Sequence, residues 1–227
     1  MIYFSKNVPI PLFLGFMLCV CAVTAVADWP QMAGPNRNNI SDETGIARSW
    51  PENGPNVLWT VSLGEGFASP SIKDGKVYIL DRPDAEMDVL RCFDLETGEE
   101  LWNFPYAAPG KVSYEGSRTA PTIEGNRIYF VGVLGHFHCL DLETHMPMWK
   151  KHIREDFGEE TPNWGVAQAP SIYNDLVIVA PQTKEAGVVA YNKDSGELVW
   201  KTPMLGSLGY STPVITTLCG VDQAVMI

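Results

Sequence analysis

The chain has 227 residues, with 16 lysines and arginines against 27 aspartates and glutamates, and so carries a formal net charge of −11 at pH 7. This acidic balance argues against a nucleic-acid partner and against anionic membrane surfaces, because both need basic patches. Hydrophobic residues make up 45% of the chain and charged residues 19%, which is compatible with an ordinary globular fold.

Residues 1–27 are predicted to be an export signal peptide. Lys6 is their only charge, the stretch from Pro9 to Ala27 is almost unbroken in its apolar character, and Ala25-Val26-Ala27 fits the small-x-small pattern that signal peptidase cuts. We predict cleavage before Asp28, which leaves an exported chain (periplasmic or extracellular) with no membrane span and a net charge of −12, since only Lys6 is lost. An uncleaved anchor is the alternative, although the apolar run is short for a spanning helix.

The remaining chain is built from short predicted strands that follow an extended segment, residues 28–56. One strand pattern occurs three times and begins a fourth time. Its proline is expected to open a short strand, and a tight turn such as Asp74-Gly75 then leads into a buried, β-branched strand. The copies are Ala68–Tyr78, Thr119–Tyr129, Gln168–Ile178 and the start Ser211–Ile215.

A second pattern of eleven residues follows each complete copy of the first. It reads small, apolar, Asp/Asn, two variable residues, Thr/Ser, usually Gly, three variable residues, Trp. The Asp or Asn is expected to accept backbone N–H bonds in a turn, the Gly to take positive φ, and the Trp to pack on a neighbouring repeat. The residues with these structural docking roles are Asp94, Gly98 and Trp102, then Asp141 and Trp149, then Asn192, Gly196 and Trp200.

The second copy departs from this pattern, because His145 stands where the other copies have glycine and Pro147 follows it. We therefore expect an altered turn in the second repeat.

Repeats of about 45 residues with this content predict four short antiparallel strands each, the size of a propeller blade. The predicted fold is all-β with very little helix: a β-propeller of four-stranded antiparallel blades. A β-sandwich is the alternative, but it does not explain the gapless repetition.

The eleven-residue pattern resembles the tryptophan-docking motif of pyrroloquinoline-quinone (PQQ) dehydrogenases and their non-catalytic relatives, which include an envelope scaffold of outer-membrane β-barrel assembly. The resemblance covers roughly Trp29 to Ile227, and the start Trp29–Asn39 is similar to the opening of secreted bacterial PQQ-like repeat proteins. It implies a ring of seven or eight blades, in which an N-terminal strand such as Val57–Val61 completes the last blade.

On this interpretation, residues 57–227 are a partial propeller of about three to four blades. The predicted blades are 57–104, 105–153, 154–204 and an incomplete 205–227. We expect the sequence to be a fragment of a longer protein, prone to aggregation or loosely folded when isolated, because an open ring exposes two blade faces.

A ligand site is predicted at the mouth of the central channel, on the loops that precede the inner strands. These loops bring aromatic, guanidinium and amide groups together, which would suit a flat or anionic ligand or a peptide. The candidate binding residues are Arg118, Trp164, Gln168 and Tyr210.

The sequence does not predict a metal site or a reactive thiol. His136 and His138 have ligand-like spacing, but zinc needs further ligands, so a surface or strand-edge pair without metal is favoured. Cys92 and Cys139 occupy equivalent repeat positions and are predicted to be small buried residues, not a disulfide framework.

Three functions remain open. The favoured one is a non-catalytic protein-binding or scaffolding module of the cell envelope, with a protein partner and no cofactor. The second is a PQQ-dependent alcohol or sugar dehydrogenase, for which the resemblance implies PQQ, Ca²⁺ and a catalytic Asp; no residue here could be matched to that Asp. The third is a carbohydrate-binding propeller, with a glycan or another small molecule as its ligand.

Overall fold

The computed structural model describes residues 28–206 and 210–226; the predicted signal peptide lies outside them. The described residues form antiparallel strands and a single 3₁₀ turn, Glu155–Phe157. No helix in this part of the chain is long and apolar enough to cross a membrane. The prediction of an all-β fold is therefore confirmed.

Three four-stranded sheets and one hairpin follow each other along the chain, and in each sheet the strand order equals the chain order. The first sheet contains β1 (Ser71–Lys73), β2 (Lys76–Asp81), β3 (Met87–Asp94) and β4 (Glu100–Ala107). The second contains β5 (Thr122–Glu124), β6 (Arg127–Val131), β7 (His136–Asp141) and β8 (Pro147–His152). The third contains β9 (Ser171–Tyr173), β10 (Leu176–Val179), β11 (Val189–Asn192) and β12 (Leu198–Lys201), and the hairpin contains β13 (Val214–Leu218) and β14 (Val221–Val225).

The sheets are arranged as an arc around an axis. The first strands β1, β5, β9 and β13 are neighbours, so they line the inside of the arc and the fourth strands form its outside. Apolar cores fill the spaces between consecutive sheets. This is the arrangement of propeller blades, and the described part is an open, partial ring.

Two boundaries differ from the sequence-based expectation. The first sheet continues to Ala107, three residues beyond the blade limit placed at 104. Residues 57–61, expected to be an outer strand, have no strand assignment. Trp59 in this segment nevertheless packs on the first sheet.

Side-chain hydroxyls tie the inner strands together, a feature that the sequence reading missed. In each complete sheet, the residue after the strand-opening proline is Ser or Thr, and its hydroxyl donates to the carbonyl of the equivalent proline in the next repeat. The bonds are Ser71 Oγ to Pro121 O (2.6 Å), Thr122 Oγ1 to Pro170 O (2.7 Å) and Ser171 Oγ to Pro213 O (2.6 Å). In the fourth copy Val214 has no hydroxyl to continue this series.

The N-terminal segment crosses the inside of the arc and joins three sheets. It hydrogen-bonds to the backbone of one isoleucine in each of the three inner strands. These backbone groups lie at the edge of their sheets and would otherwise have no strand partner. Trp29 exchanges two backbone bonds with Ile72 (2.8 and 2.9 Å), Ile123 N–H donates to Pro30 O (2.8 Å), and Arg37 Nη2 donates to Ile172 O (2.7 Å).

The eleven-residue motif folds in all three copies as a turn closed by its Asp or Asn. Each side chain accepts a backbone N–H from the Thr or Ser three residues later, which makes the turn independent of neighbouring sheets. The bonds are Thr97 N to Asp94 Oδ1 (2.8 Å), Thr144 N to Asp141 Oδ1 (2.8 Å) and Ser195 N to Asn192 Oδ1 (2.9 Å).

Each of these turns receives a tryptophan from the preceding part of the chain. A Cβ on Gly98 would lie 2.6 Å from the ring of Trp59, and one on Gly196 would lie 2.7 Å from the ring of Trp149, so glycine allows the close approach. The indole N–H of Trp59 donates to Leu95 O (2.9 Å), and that of Trp149 donates to Lys193 O (3.0 Å). Trp149 lies within the fourth strand of its sheet, and Trp59 lies before the first strand of the chain.

The expectation of an altered turn at His145 was wrong. His145 adopts a φ of 59°, beside 73° for Gly98 and 70° for Gly196, and the Asp141 bonds are the same as in the other copies. Its imidazole stacks on Trp102 with ring centroids 4.3 Å apart and an interplanar angle of 21°. The histidine therefore replaces a glycine contact with a ring-on-ring contact.

Of the three motif tryptophans, Trp200 alone does not pack against a turn of the eleven-residue motif in the described residues. It is 37% exposed and lies beside Ile215 in the cleft between the third sheet and the hairpin.

Candidate functional site

The long connections of the fold all lie at one end of the arc. Turns within sheets at the opposite end are two to five residues long, whereas residues 108–121, 153–170 and 202–213 lead from each outer strand to the next inner strand. Function in such folds is placed on loops that a rigid scaffold holds. The candidate site is therefore built from this end, which we call the long-loop face.

The first part of the site is a backbone pairing between two of these loops. Gly66 forms a parallel bridge with Ser117, and the N–H of Phe67 donates to Ser117 O at 2.7 Å. Gly116 makes the approach possible, because it has a φ of 96° and any Cβ there would collide with the carbonyl of Glu65. This pairing sets Phe67 next to Arg118.

Arg118 links three of the loops. Its Nη1 donates to Trp164 O and its Nη2 to Tyr114 O, and the guanidinium lies over the ring of Phe67 at 5.8 Å from the centroid. Its buried Nε has no hydrogen-bond partner. The guanidinium is thus held in place by backbone carbonyls and one aromatic face.

Trp164 and Tyr210 complete the row. Their ring centroids are 5.7 Å apart with planes at 32°. The aromatic residues remain accessible: Phe67 is 68% exposed, Tyr114 60%, Trp164 53% and Tyr210 37%. We call Phe67, Tyr114, Arg118, Trp164 and Tyr210 the mouth cluster. Sequence reasoning had not singled out Tyr114, which lies outside both repeated motifs.

Gln168, the fourth candidate binding residue, has a different environment. Its side chain is 4% exposed, its Nε2 donates to Ala180 O, and its Oε1 accepts from Ala180 N, both at 2.5 Å. Thr119, at the equivalent repeat position, likewise bonds the carbonyl of Val131. The structure thus brings Arg118, Trp164 and Tyr210 together at the surface. The amide of Gln168 lies beneath them and bonds the backbone of Ala180.

A buried ion pair supports the same face from underneath. Arg82 Nη1 donates to Asp88 Oδ1 at 2.6 Å, with side chains 1% and 0% exposed. Tyr106 donates its hydroxyl to the other carboxylate oxygen at 3.1 Å. The second terminal nitrogen of Arg82, Nη2, donates to the carbonyls of Ala85, Ala108 and Gly110, and its Nε is buried without a hydrogen-bond partner. No sequence motif signalled this network, because it occurs in one repeat only.

The histidine pair is not at a surface or strand edge, contrary to the sequence-based expectation. His138 is 5% exposed and stacks on Phe130, with ring centroids 5.2 Å apart, and its ring lies 4.5 Å from that of Tyr106. His136 lies beside His152, with ring centroids 5.0 Å apart. The pair therefore packs between the first two sheets. Within residues 28–206 and 210–226, no group of three or more His, Cys, Asp or Glu is placed to hold a metal ion.

Acid is expected to weaken this contact between the sheets. Burial lowers the pKa of His138 to about 3 and that of His136 to about 4, from an ordinary value of 6.5. The unfolded chain takes up these protons near pH 6.5, so the stabilisation is complete above that pH and falls as the pH drops toward 4. Thermal unfolding between pH 7 and pH 4.5 should show a falling Tm, with a smaller fall in His138→Phe. Equal acid sensitivity in the variant would argue against the histidine as the source.

Cys92 and Cys139 lie in the core and contribute no thiol to the mouth. Cys92 and Cys139 are free and fully buried between sheets, and burial raises the pKa of Cys92 to about 11 and that of Cys139 to about 12. Both are small core residues, as their repeat positions indicated.

An arc of four-stranded antiparallel sheets, with docked tryptophans between them and a loop-built mouth, defines a β-propeller of the quinoprotein repeat type. The family model for outer membrane protein assembly factor BamB matches residues 85–226, which is more than half of the chain. The chain belongs to this family.

Known relatives include both enzymes and an assembly factor. The quinoprotein alcohol dehydrogenase PedH of Pseudomonas putida is 27% identical over 165 residues, which are 67% of this chain and 26% of that protein. BamB of Burkholderia pseudomallei is 28% identical over 131 residues, 56% of this chain and 31% of that protein. The chain thus spans about a quarter to a third of the length of these relatives.

Structural comparison supports the fold. The crystal structure of quinohemoprotein alcohol dehydrogenase from Comamonas testosteroni aligns with a TM-score of 0.58 and 18% identity, over 78% of this chain and 27% of that one. At this identity the likeness shows the propeller architecture alone.

The mouth residues, as arranged, do not fit the quinone cofactor that the names of the dehydrogenase relatives imply. A tricarboxylate such as PQQ needs free cationic and amide donors, but both terminal nitrogens of Arg118 are bonded to carbonyls and both amide atoms of Gln168 to Ala180. Trp164 offers an accessible ring face, which by itself selects no particular flat ligand.

Proposed function

We propose that this chain is part of an exported, non-catalytic propeller that serves as a protein-binding or scaffolding module in the cell envelope, with the mouth cluster as its contact surface. The observation that supports this most is the composition of that cluster: four accessible aromatic rings around one fixed guanidinium. Phe, Tyr, Trp and Arg are the residues enriched in protein–protein interfaces and among their energetic hot spots.

The arrangement also favours binding over catalysis. The side chain of Arg118 is already fixed by its hydrogen bonds to backbone carbonyls, and the aromatic side chains have few rotatable bonds. Little conformational entropy is therefore lost when a partner binds. The relative named as an assembly factor supports a partner in the envelope, and the predicted signal peptide supports export.

Removing two aromatic residues of the mouth cluster should strongly reduce partner capture. In the full natural protein, Trp164→Ala/Tyr210→Ala is expected to reduce the amount of partner cross-linked from envelope extracts by tenfold or more, because truncated hot spots cost 2 kcal/mol or more each, roughly 30-fold in affinity. The readout is quantitative mass spectrometry of cross-linked partners.

The matched control is Met146→Ala/Met148→Ala, which removes two exposed apolar side chains at the opposite end of the arc, 63% and 45% accessible. This variant should capture partners like the parent protein. Equal capture by the mouth variant and the parent would refute the mouth as the contact surface.

A PQQ-dependent dehydrogenase is the second candidate, favoured by the similarity to PedH. PQQ would supply the oxidant for an alcohol or sugar, and segments of the full protein other than the mouth residues described here would have to hold it. Calorimetric titration of PQQ with Ca²⁺ into the full natural protein separates the two: tight one-to-one binding supports the dehydrogenase, and no heat from a folded protein supports the scaffold.

A further inference from the structure

The loops of the long-loop face carry more exposed acidic side chains than basic ones. Apart from Glu159, which pairs with Arg154, eight acidic residues on its loops are exposed or half-exposed: Glu65, Asp84, Glu86, Glu115, Glu155, Asp156, Glu160 and Glu185. The bases on the same loops do not balance them, because Arg82 and Arg154 are buried with carboxylate partners at 2.6 and 2.7 Å. Lys111 and Lys184 are the exposed lysines of these loops.

The one cation inside the cluster does not offset this acidity for a partner. Both terminal nitrogens of Arg118 already donate to carbonyls, and its flat face is turned to Phe67. The guanidinium therefore offers no free pair of donors to a carboxylate or phosphate of a partner, and the acidic side chains of these loops would repel such a group.

A cation would find favourable contacts at the same place. Exposed faces of Trp and Tyr attract ammonium and guanidinium groups through the ring quadrupole. Trp164 and Tyr210 are 53% and 37% exposed and form one tilted pair. Glu65 and Glu115 line one hollow together with Phe67 and Tyr114. Glu160 belongs to the loop that carries Trp164. Acidic residues therefore belong to the same loops as the aromatic residues of the row.

The residues of the mouth cluster are arranged in a row and do not enclose a pocket. Phe67, Arg118, Trp164 and Tyr210 come from the four loops that precede β1, β5, β9 and β13, and successive members touch across neighbouring repeats. A row of this kind fits an extended chain better than a compact small molecule, because side chains at intervals along the ligand can each meet one member.

From this geometry and charge, we infer that the occupant of the mouth is an extended, basic segment of another polypeptide, held by aromatic faces and by carboxylates of the same loops. The inference rests on the proposed protein-binding function and adds the chemistry of the partner.

The test uses three fluorescein-labelled 15-residue peptides with the same aromatic and aliphatic residues and net charges of +4, 0 and −4. Fluorescence anisotropy with the full natural protein should give the +4 peptide a Kd at least tenfold lower than the −4 peptide. Its affinity should fall as salt is raised, since the attraction is screened. Glu65→Lys/Glu160→Lys should remove this preference.

The matched control is Glu96→Lys/Glu143→Lys, which changes net charge equally at exposed positions of the docking turns, at the opposite end of the arc. It should retain the preference for the +4 peptide. An equal loss of preference in the control would overturn the inference, because attraction by net charge alone would then explain the binding.

The two proposals fail in different ways. If all three peptides bind equally and Trp164→Ala/Tyr210→Ala abolishes binding, the mouth binds polypeptides but the basic preference is wrong. If no peptide binds and the mouth variant still captures envelope partners normally, both proposals are wrong. Tighter binding of the −4 peptide overturns the charge argument directly.

Discussion

Replacing Trp149 with alanine is expected to lower the free energy of unfolding by about 3–5 kcal/mol, the cost of truncating a large core aromatic. The indole is 9% exposed and packs edge-on to Phe137, with ring centroids 5.0 Å apart. Its N–H donates to Lys193 O at 3.0 Å, and its ring covers Gly196. The substitution therefore removes the aromatic side chain that fills the space between the second and third sheets. It also leaves the carbonyl of Lys193 with the Tyr129 hydroxyl, at 3.3 Å, as its donor. Urea unfolding followed by tryptophan-independent circular dichroism measures the loss.

The chain contains its own control for this prediction. Trp200 holds the same motif position but is 37% exposed, so Trp200→Ala in this chain should cost under about 1 kcal/mol, as for most surface substitutions. Similar losses for both variants would mean that the motif tryptophan stabilises its own turn and not the contact between sheets. A loss below about 1 kcal/mol for Trp149→Ala would contradict the docking role itself.

Much of the architecture could be predicted because the stabilising elements repeat. Asp94, Asp141 and Asn192 recur at one motif position, and each closes its turn through local bonds that need no knowledge of the fold. Strand-opening prolines and motif tryptophans recur with a period of blade size, so fold class followed from periodicity. The hydroxyl bonds between inner strands had the same kind of signal, Ser or Thr after each proline, which could have been found by asking what that side chain bonds.

Other features could not be predicted because they depend on which way a side chain points in three dimensions. Gln168 belongs to a mouth loop, yet its amide turns inward to Ala180. His138 has the spacing of a metal ligand, yet it packs on Phe130 between two sheets. His145 broke a glycine pattern, yet it kept the turn by stacking on Trp102. In each case burial and contacts across sheets decided the role, and these are absent from a local pattern.

Asp88→Ala is expected to destabilise the protein by about 3–5 kcal/mol, because it leaves the guanidinium of Arg82 buried without its counter-charge. Burial raises the pKa of Asp88 above its ordinary value although Arg82 lies 2.6 Å away, so the desolvation of the carboxylate outweighs the favourable effect of the arginine. The intact pair therefore adds little net stability, whereas either charge alone is costly. Tyr106 would also lose the acceptor of its hydroxyl. Denaturant unfolding of the single variant gives the loss.

An exposed ion pair of the same residue types serves as a control. It distinguishes the cost of leaving a buried charge unpaired from the cost of losing an ion pair. Arg127 and Asp194 are 3.1 Å apart with side chains 27% and 58% exposed, so Asp194→Ala should cost under about 1 kcal/mol. In a cycle with Arg82→Met, the double variant should be more stable than the sum of the single losses predicts by about 0.5–3 kcal/mol, since no buried charge is left unpaired. Strict additivity would show that Asp88 and Arg82 act independently. The carbonyls of Ala85, Ala108 and Gly110, which Arg82 also holds, would then account for its effect and position the loops beneath the mouth cluster.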